Sequence, residues 1–164
     1  NKEHQIKITD DSLIELVNQC EEIPGWELFQ FYDSDGSKDH VDSTMINEYI
    51  HELSGDLFSA KDFRTWAATK IFFECLRDLG YITEEKQNAK NLLTAYDAAA
   101  DGLGNTRTVC RNYYVHPVIP EAYADGSIVP YFEKVDRIKP KSGLYLSRTE
   151  TVIQEMLANY EVNI

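Results

Sequence analysis

The sequence predicts a mainly α-helical fold, α+β in the strict sense, with a small β-hairpin and edge-strand element near its N-terminus. Three observations carry that expectation. From Ser43 onward apolar residues recur at helical spacing. Gly80 and Gly102 close two of the helical stretches in the manner of helix C-terminal glycines. Polar and apolar residues alternate over 2–8, and residues 27–41 read as a strand, a turn and a returning strand. With 164 residues the chain fits one domain, and a domain of that size buries roughly 70% of the surface its unfolded form exposes.

Taken in order, residues 2–8 alternate polar and apolar side chains and read as an edge strand of a small sheet continued from preceding sequence. Thr9 or Asp10 then caps a helix carrying Leu13, Ile14, Leu16 and Val17 up to Cys20, and Pro24-Gly25 ends it. Residues 27–32 form a strand, Asp33-Ser34-Asp35-Gly36 its turn, and residues 38–41 the return strand. That turn is no calcium loop: placing Gly36 at the sixth position would put Phe31 at the first, where an acidic ligand is needed. Ser43 caps a helix over 44–53. Ser59 opens a long one through Leu79, with Ile71, Phe72, Cys75, Leu76 and Leu79 as its buried stripe. Thr83 opens another from Glu84 to about Ala100. Short helices are expected over 107–113 and 117–124. A less regular basic stretch with Lys134, Arg137, Lys139 and Lys141 follows, and Ser147-x-x-Glu150 forms a capping box for a last helix to about Tyr160. Neither an internal repeat nor a low-complexity segment is visible.

Composition narrows the function. Hydrophobic residues make up 43% and charged residues 27%, ordinary globular usage, and no apolar run approaches the ~18 residues of a membrane-spanning helix. Cys20, Cys75 and Cys110 are odd in number and lack Cys-x-x-Cys spacing, so neither a disulfide framework nor zinc is expected, and a reducing cytoplasm is the natural setting. Cys110 reads as a small buried hydrophobe. The start, Asn1-Lys2-Glu3-His4, has neither a methionine nor an apolar signal region and reads as a piece of a longer protein. The net charge of −12 opposes the basic footprint expected of a nucleic-acid binder. The acids, however, gather in 10–11, 21–22, 33–42 and 155–161, whereas Lys61, Arg64, Lys70, Arg77, Arg107 and Arg111 occupy the middle of the chain, and a local field can oppose net charge.

The chemistry concentrates in Leu103-Gly104-Asn105-Thr106-Arg107-Thr108-Val109-Cys110-Arg111-Asn112-Tyr113-Tyr114-Val115-His116-Pro117. An amide, two guanidinium groups and a tyrosine in one segment suit attack on a phosphodiester. A phenol, with an unperturbed pKa of about 10, becomes a useful nucleophile only in a cationic, hydrogen-bonding site. Arginine supplies both the field and forked donors for phosphate oxygens.

Together with Lys61-Asp62-Phe63-Arg64-Thr65 further upstream, this segment resembles the type IB DNA topoisomerases in their bacterial and poxvirus-like branch. Gly25-Trp26-Glu27-Leu28-Phe29-Gln30-Phe31-Tyr32, the Asp33 turn and Val41-Asp42-Ser43-Thr44 extend the likeness over roughly three quarters of the chain. In that family an arginine within Lys-Asp-x-Arg-Thr, a histidine or asparagine after Leu-Gly, and a tyrosine nine residues further on share one active site. The matching positions are Arg64, Asn105 and Tyr114. The resemblance implies the C-terminal portion of a single catalytic domain spanning 1–164, with double-stranded DNA as partner, no cofactor, no metal, a monomeric state, and a cytoplasmic, nucleoid-associated location in a bacterium. A further arginine and a general-acid lysine would lie in residues preceding this chain, leaving the piece inactive alone.

Each assignment competes with a plainer role. Tyr114 could be core or surface filler; the register with Arg64 and Asn105 favours the nucleophile, and Tyr113 is its control, since neighbouring helical side chains diverge by about 100°. Arg64 could be a solvated charge, and Asn105 a turn residue. Lys61 suits contact with DNA phosphates, Arg107 and Arg111, one turn apart, suit DNA phosphates or salt bridges rather than chemistry, and His116 before Pro117 orders a turn. Lys61, where related tyrosine recombinases carry histidine, favours the topoisomerase over site-specific recombination. A non-catalytic acidic helical interaction module is the alternative from outside enzymology.

Overall fold

In the computed structural model, which describes residues 7–55, 57–139 and 146–160, the chain divides into two units, Asn1–Ala60 and Lys61–Ile164. Among the described residues the fold is mainly helical with one small antiparallel sheet, as the sequence predicts.

The first unit is written in local signals. Helix α1 (Asp11–Glu21) starts at Asp10, whose carboxylate accepts from the Leu13 amide at 3.0 Å. Strands β1 (Gln30–Tyr32) and β2 (Lys38–His40) pair antiparallel with Gln30 opposite His40. Gly36 takes φ 83° in their turn, and the Asp35 carboxylate accepts from the Ser37 amide at 2.8 Å. Both strands are shorter than expected: the Gln30 side chain folds back to donate to the Glu27 carbonyl where residues 28–29 bend, and beyond the strands the pairing continues only as the Val41 amide donating to the Phe29 carbonyl at 2.9 Å. Helix α2 (Ser43–Ser54) is capped by Asp42, not Ser43, because the Asp42 carboxylate reaches both the Thr44 and Met45 amides, at 2.8 and 2.9 Å. Gly55, at φ 68°, ends it. The expected strand over 2–8 lies mostly outside the described residues; Lys7 and Ile8 carry no regular structure.

The second unit holds the core. Helix α3 (Ala60–Leu79) buries Ala68, Thr69, Phe72, Phe73 and Leu76, a stripe that begins one turn earlier than the sequence suggests and leaves Leu79 exposed. Helix α4 (Glu85–Leu103) buries Ala95, Tyr96, Ala99 and Ala100 against it, with the Phe72 and Tyr96 rings 4.4 Å apart. No side-chain bond caps α4; Glu84, rather than Thr83, sits at the cap position. Gly102 does not stop the helix. It lies inside it, where an added Cβ would come within 2.6 Å of Ile71, and the left-handed residue that ends α4 is Gly104, at φ 67°.

A three-residue turn, α5 (Arg107–Val109), runs into a π-helical segment, Cys110–Tyr114. Helices α6 (Val118–Asp125), α7 (Val129–Arg137) and α8 (Arg148–Ala158) complete the unit. Helix α7 replaces the irregular stretch expected there. Its Pro130 sits in the first turn, where a missing N–H costs nothing, and Ile128, Phe132 and Val135 recur on one buried face. Tyr123 ties the layers together: its hydroxyl donates to the Gly80 carbonyl at 2.7 Å and accepts from Asn91 Nδ2 at 2.8 Å. The capping box is present as expected, and Glu150 also accepts from Trp66 Nε1 at 2.9 Å, joining α8 to α3. Among the described residues no helix is long and apolar enough to cross a membrane, and no cluster could hold a metal ion.

Candidate active site

Helix α3 presents Arg64 about one turn after its start, half-buried, on a helix whose apolar stripe fixes its rotation. The end of α4 provides the anchor. There the Asn105 amide donates to the Ala100 carbonyl at 2.8 Å and the Gly104 amide to Asp101 at 3.2 Å, the paired bonds of a Schellman motif. That closure leaves the Leu103 carbonyl to accept from Arg64 Nη2, at 3.1 Å. The Leu-Gly pair therefore does two things at once: it holds the arginine and delivers Asn105 as the residue just past the Gly104 cap. Asn105 is half-buried, with Nδ2 turned away from solvent.

Tyr114 ends the π-helical segment, which the Val115 amide closes by donating to the Cys110 carbonyl at 2.9 Å, five residues back. Such wide turns are rare and recur at functional sites. This one separates the adjacent tyrosines. Tyr113 is 63% exposed, while Tyr114 is half-buried against the core. The Arg64 guanidinium carbon lies 5.2 Å from the centroid of the Tyr114 ring, within reach of a cation–π attraction. Arg64 is thus the common member of the constellation, in contact with the tyrosine ring and with the segment that carries Asn105.

The outlying cations differ among themselves. Arg107 grips Asp97 with two nitrogens, Nε at 2.6 Å and Nη2 at 2.5 Å; this fork holds the Asp97 carboxyl below its ordinary range. Lys61 and Arg111 are exposed. His116 accepts from the Val118 amide through Nδ1 at 3.3 Å and packs edge-on against Tyr160, which makes it a turn-forming residue. Burial holds its pKa below 6.5, with Glu121 opposing that shift. Cys110 is fully buried.

The spacing does not point to Thr69. Its buried hydroxyl donates to the Tyr114 carbonyl at 3.3 Å and accepts from the His116 amide at 3.0 Å. The available signal is a lone polar residue set three and seven positions before Phe72 and Leu76 on the buried stripe of α3.

A family described as the catalytic core of eukaryotic DNA topoisomerase I matches residues 1–129, a segment that contains Arg64, Asn105 and Tyr114. The chain belongs to the type IB DNA topoisomerase family. It is also 30% identical over 126 residues to a DNA topoisomerase 1B of Acanthamoeba polyphaga mimivirus, an alignment covering 73% of this chain and 38% of that protein. The chain therefore spans well under half the length of this topoisomerase relative. Helix α8, with its Glu150 link to Trp66, lies beyond the family match.

Proposed function

We propose that this chain carries part of the active site of a type IB DNA topoisomerase, with Tyr114 as nucleophile. The Tyr114 phenolic oxygen attacks a backbone phosphorus, forming a P–O bond to tyrosine as the P–O5′ bond breaks. The net proton transfer is from the phenol to the departing 5′ oxygen. The 3′-phosphotyrosyl link conserves the energy of the cleaved bond, the free strand end rotates, and the 5′ hydroxyl returns to the phosphorus and releases the tyrosine. Arg64 stabilises the charge that builds on the non-bridging oxygens, and Asn105 donates to the same phosphate without titrating. Lys61, Arg107 and Arg111 hold flanking phosphates, Arg107 by exchanging its Asp97 partner. A further arginine and a lysine general acid come from other parts of the full-length protein. The cycle is an isoenergetic exchange of esters and calls for neither ATP nor a metal ion.

The observation that carries this reading is the Arg64 guanidinium seated at 5.2 Å over the Tyr114 ring while its Nη2 is anchored on Leu103. The test uses the full-length protein and supercoiled plasmid in chelator without ATP, with detergent to trap covalent adducts. Tyr114→Phe is expected to abolish both relaxation and adduct. Tyr113→Phe is expected to leave both intact, and Arg64→Ala to slow relaxation by about 10²- to 10³-fold, as for loss of a transition-state donor. Relaxation surviving in Tyr114→Phe, or absent from the parent protein, would overturn the proposal.

A further inference from the structure

We propose that Thr69 is a positioning residue for the Tyr114 nucleophile, its hydroxyl clamping the backbone on either side of Val115 so that the phenol leaves the π-turn in one direction. The inference rests on the reading of Tyr114 as nucleophile.

Thr69 sits mid-way along α3 at 1% exposure. A threonine in that setting commonly bonds to a carbonyl one turn back in its own helix. Here the hydroxyl reaches out of the helix instead, donating to the Tyr114 carbonyl at 3.3 Å and accepting from the His116 amide at 3.0 Å. One O–H and one of its two lone pairs satisfy both contacts at once. The position needs such a group. After Tyr114 the chain turns extended, at φ −80° and ψ 123° for Val115, so the Tyr114 carbonyl is one of the terminal groups that has no partner within its own helix. The His116 amide faces the same difficulty, one residue past the segment.

The same helix carries Arg64, five residues before Thr69. One rigid element therefore holds the guanidinium over the Tyr114 ring and pins the tyrosine's backbone. The π-turn closes its bond over five residues instead of four, and two hydrogen bonds at its exit resist rotation of the segment about its axis. Without the clamp the phenol would wander from the phosphate by a distance on the order of 1 Å, and displacements of that size cost about 10²-fold in rate.

The experiment measures plasmid relaxation by the full-length protein over a range of DNA concentrations. Thr69→Val, isosteric but lacking the hydroxyl, is expected to lower kcat by about 10- to 100-fold with KM unchanged, and Thr69→Ser to restore kcat to within a few-fold of the parent. Val152→Ala, in the α8 core and remote in sequence from the site, supplies a control for reduced stability; it is expected to lower the melting temperature while leaving kcat intact. An unchanged kcat in Thr69→Val, no recovery in Thr69→Ser, or an equal loss in Val152→Ala would overturn the positioning role. Tyr114→Phe is assayed alongside: relaxation persisting in that variant would instead refute the nucleophile assignment, so the two failures are distinguishable.

Discussion

Residues up to Ala60 and residues from Lys61 onward are built from comparable helices, yet they bury very different things. In the first unit Gln30 is the one buried residue among those described, while Leu13, Leu16, Trp26, Tyr49 and Leu53 are all exposed. In the second, Phe72, Phe73, Tyr123, Ile119 and Ile153 are sealed in one core. Caps and a tight turn are enough to delimit α1, α2 and the hairpin, because a carboxylate meeting two amides acts over three residues of chain. They are not enough to fix a side chain to within an ångström. The candidate catalytic groups accordingly come from the second unit, where α3, the end of α4 and the π-turn are locked by shared packing.

Substitutions can break or sharpen this contrast. The largest expected effect is in the core: Phe72→Ala should lower unfolding stability by about 3–5 kcal/mol, read from denaturant midpoints, because it leaves a cavity among rings that cannot collapse to fill it. An intermediate effect is expected where α8 meets α3. The bond between Glu150 and Ser147 within the capping box leads, helped by the Trp66 bond and by Lys70, in holding the Glu150 carboxyl down from 4.5 to about 2. A carboxylate whose pKa is lowered by folding stabilises the native state above its unfolded value, and this contribution disappears as pH falls from 4.5 towards 2. Glu150→Gln should therefore cost about 1 kcal/mol at neutral pH and flatten the acid limb of the stability curve across that window. The smallest effect belongs to the first unit: Leu16→Ala, at a side chain 55% exposed, should stay within about 0.5 kcal/mol of the parent. A loss there as large as that of Phe72→Ala would erase the distinction between the units.

Much of this organisation is visible along the chain. Asp10, the Asp33 to Gly36 turn, Gly80 and the Ser147-x-x-Glu150 box each mark a boundary through a bond spanning a few residues, and each is found in place. The boundaries that differ are those where several local candidates compete. Asp42 displaces Ser43 because its longer side chain reaches two amides, and Gly104 displaces Gly102 because the latter is held inside α4 by its approach to Ile71. Helix α7 was legible in the spacing of Ile128, Phe132 and Val135 but masked by its proline and its basic residues.

For the site, the order and spacing of Arg64, Asn105 and Tyr114 were legible through their resemblance to the type IB topoisomerases, while the chemistry of a phosphodiester said only which residue types suit such a site. The nine-residue spacing from Asn105 in that resemblance chose Tyr114 over Tyr113, and helical geometry added only that two adjacent side chains diverge. The π-turn, the Leu103 carbonyl beneath Arg64, the Asp97 fork on Arg107 and the Thr69 clamp were decided only by tertiary structure. Each joins groups far apart in sequence or depends on a hydrogen bond shifted by one residue, and such pairings are settled when packed helices leave a polar group with a single partner in reach.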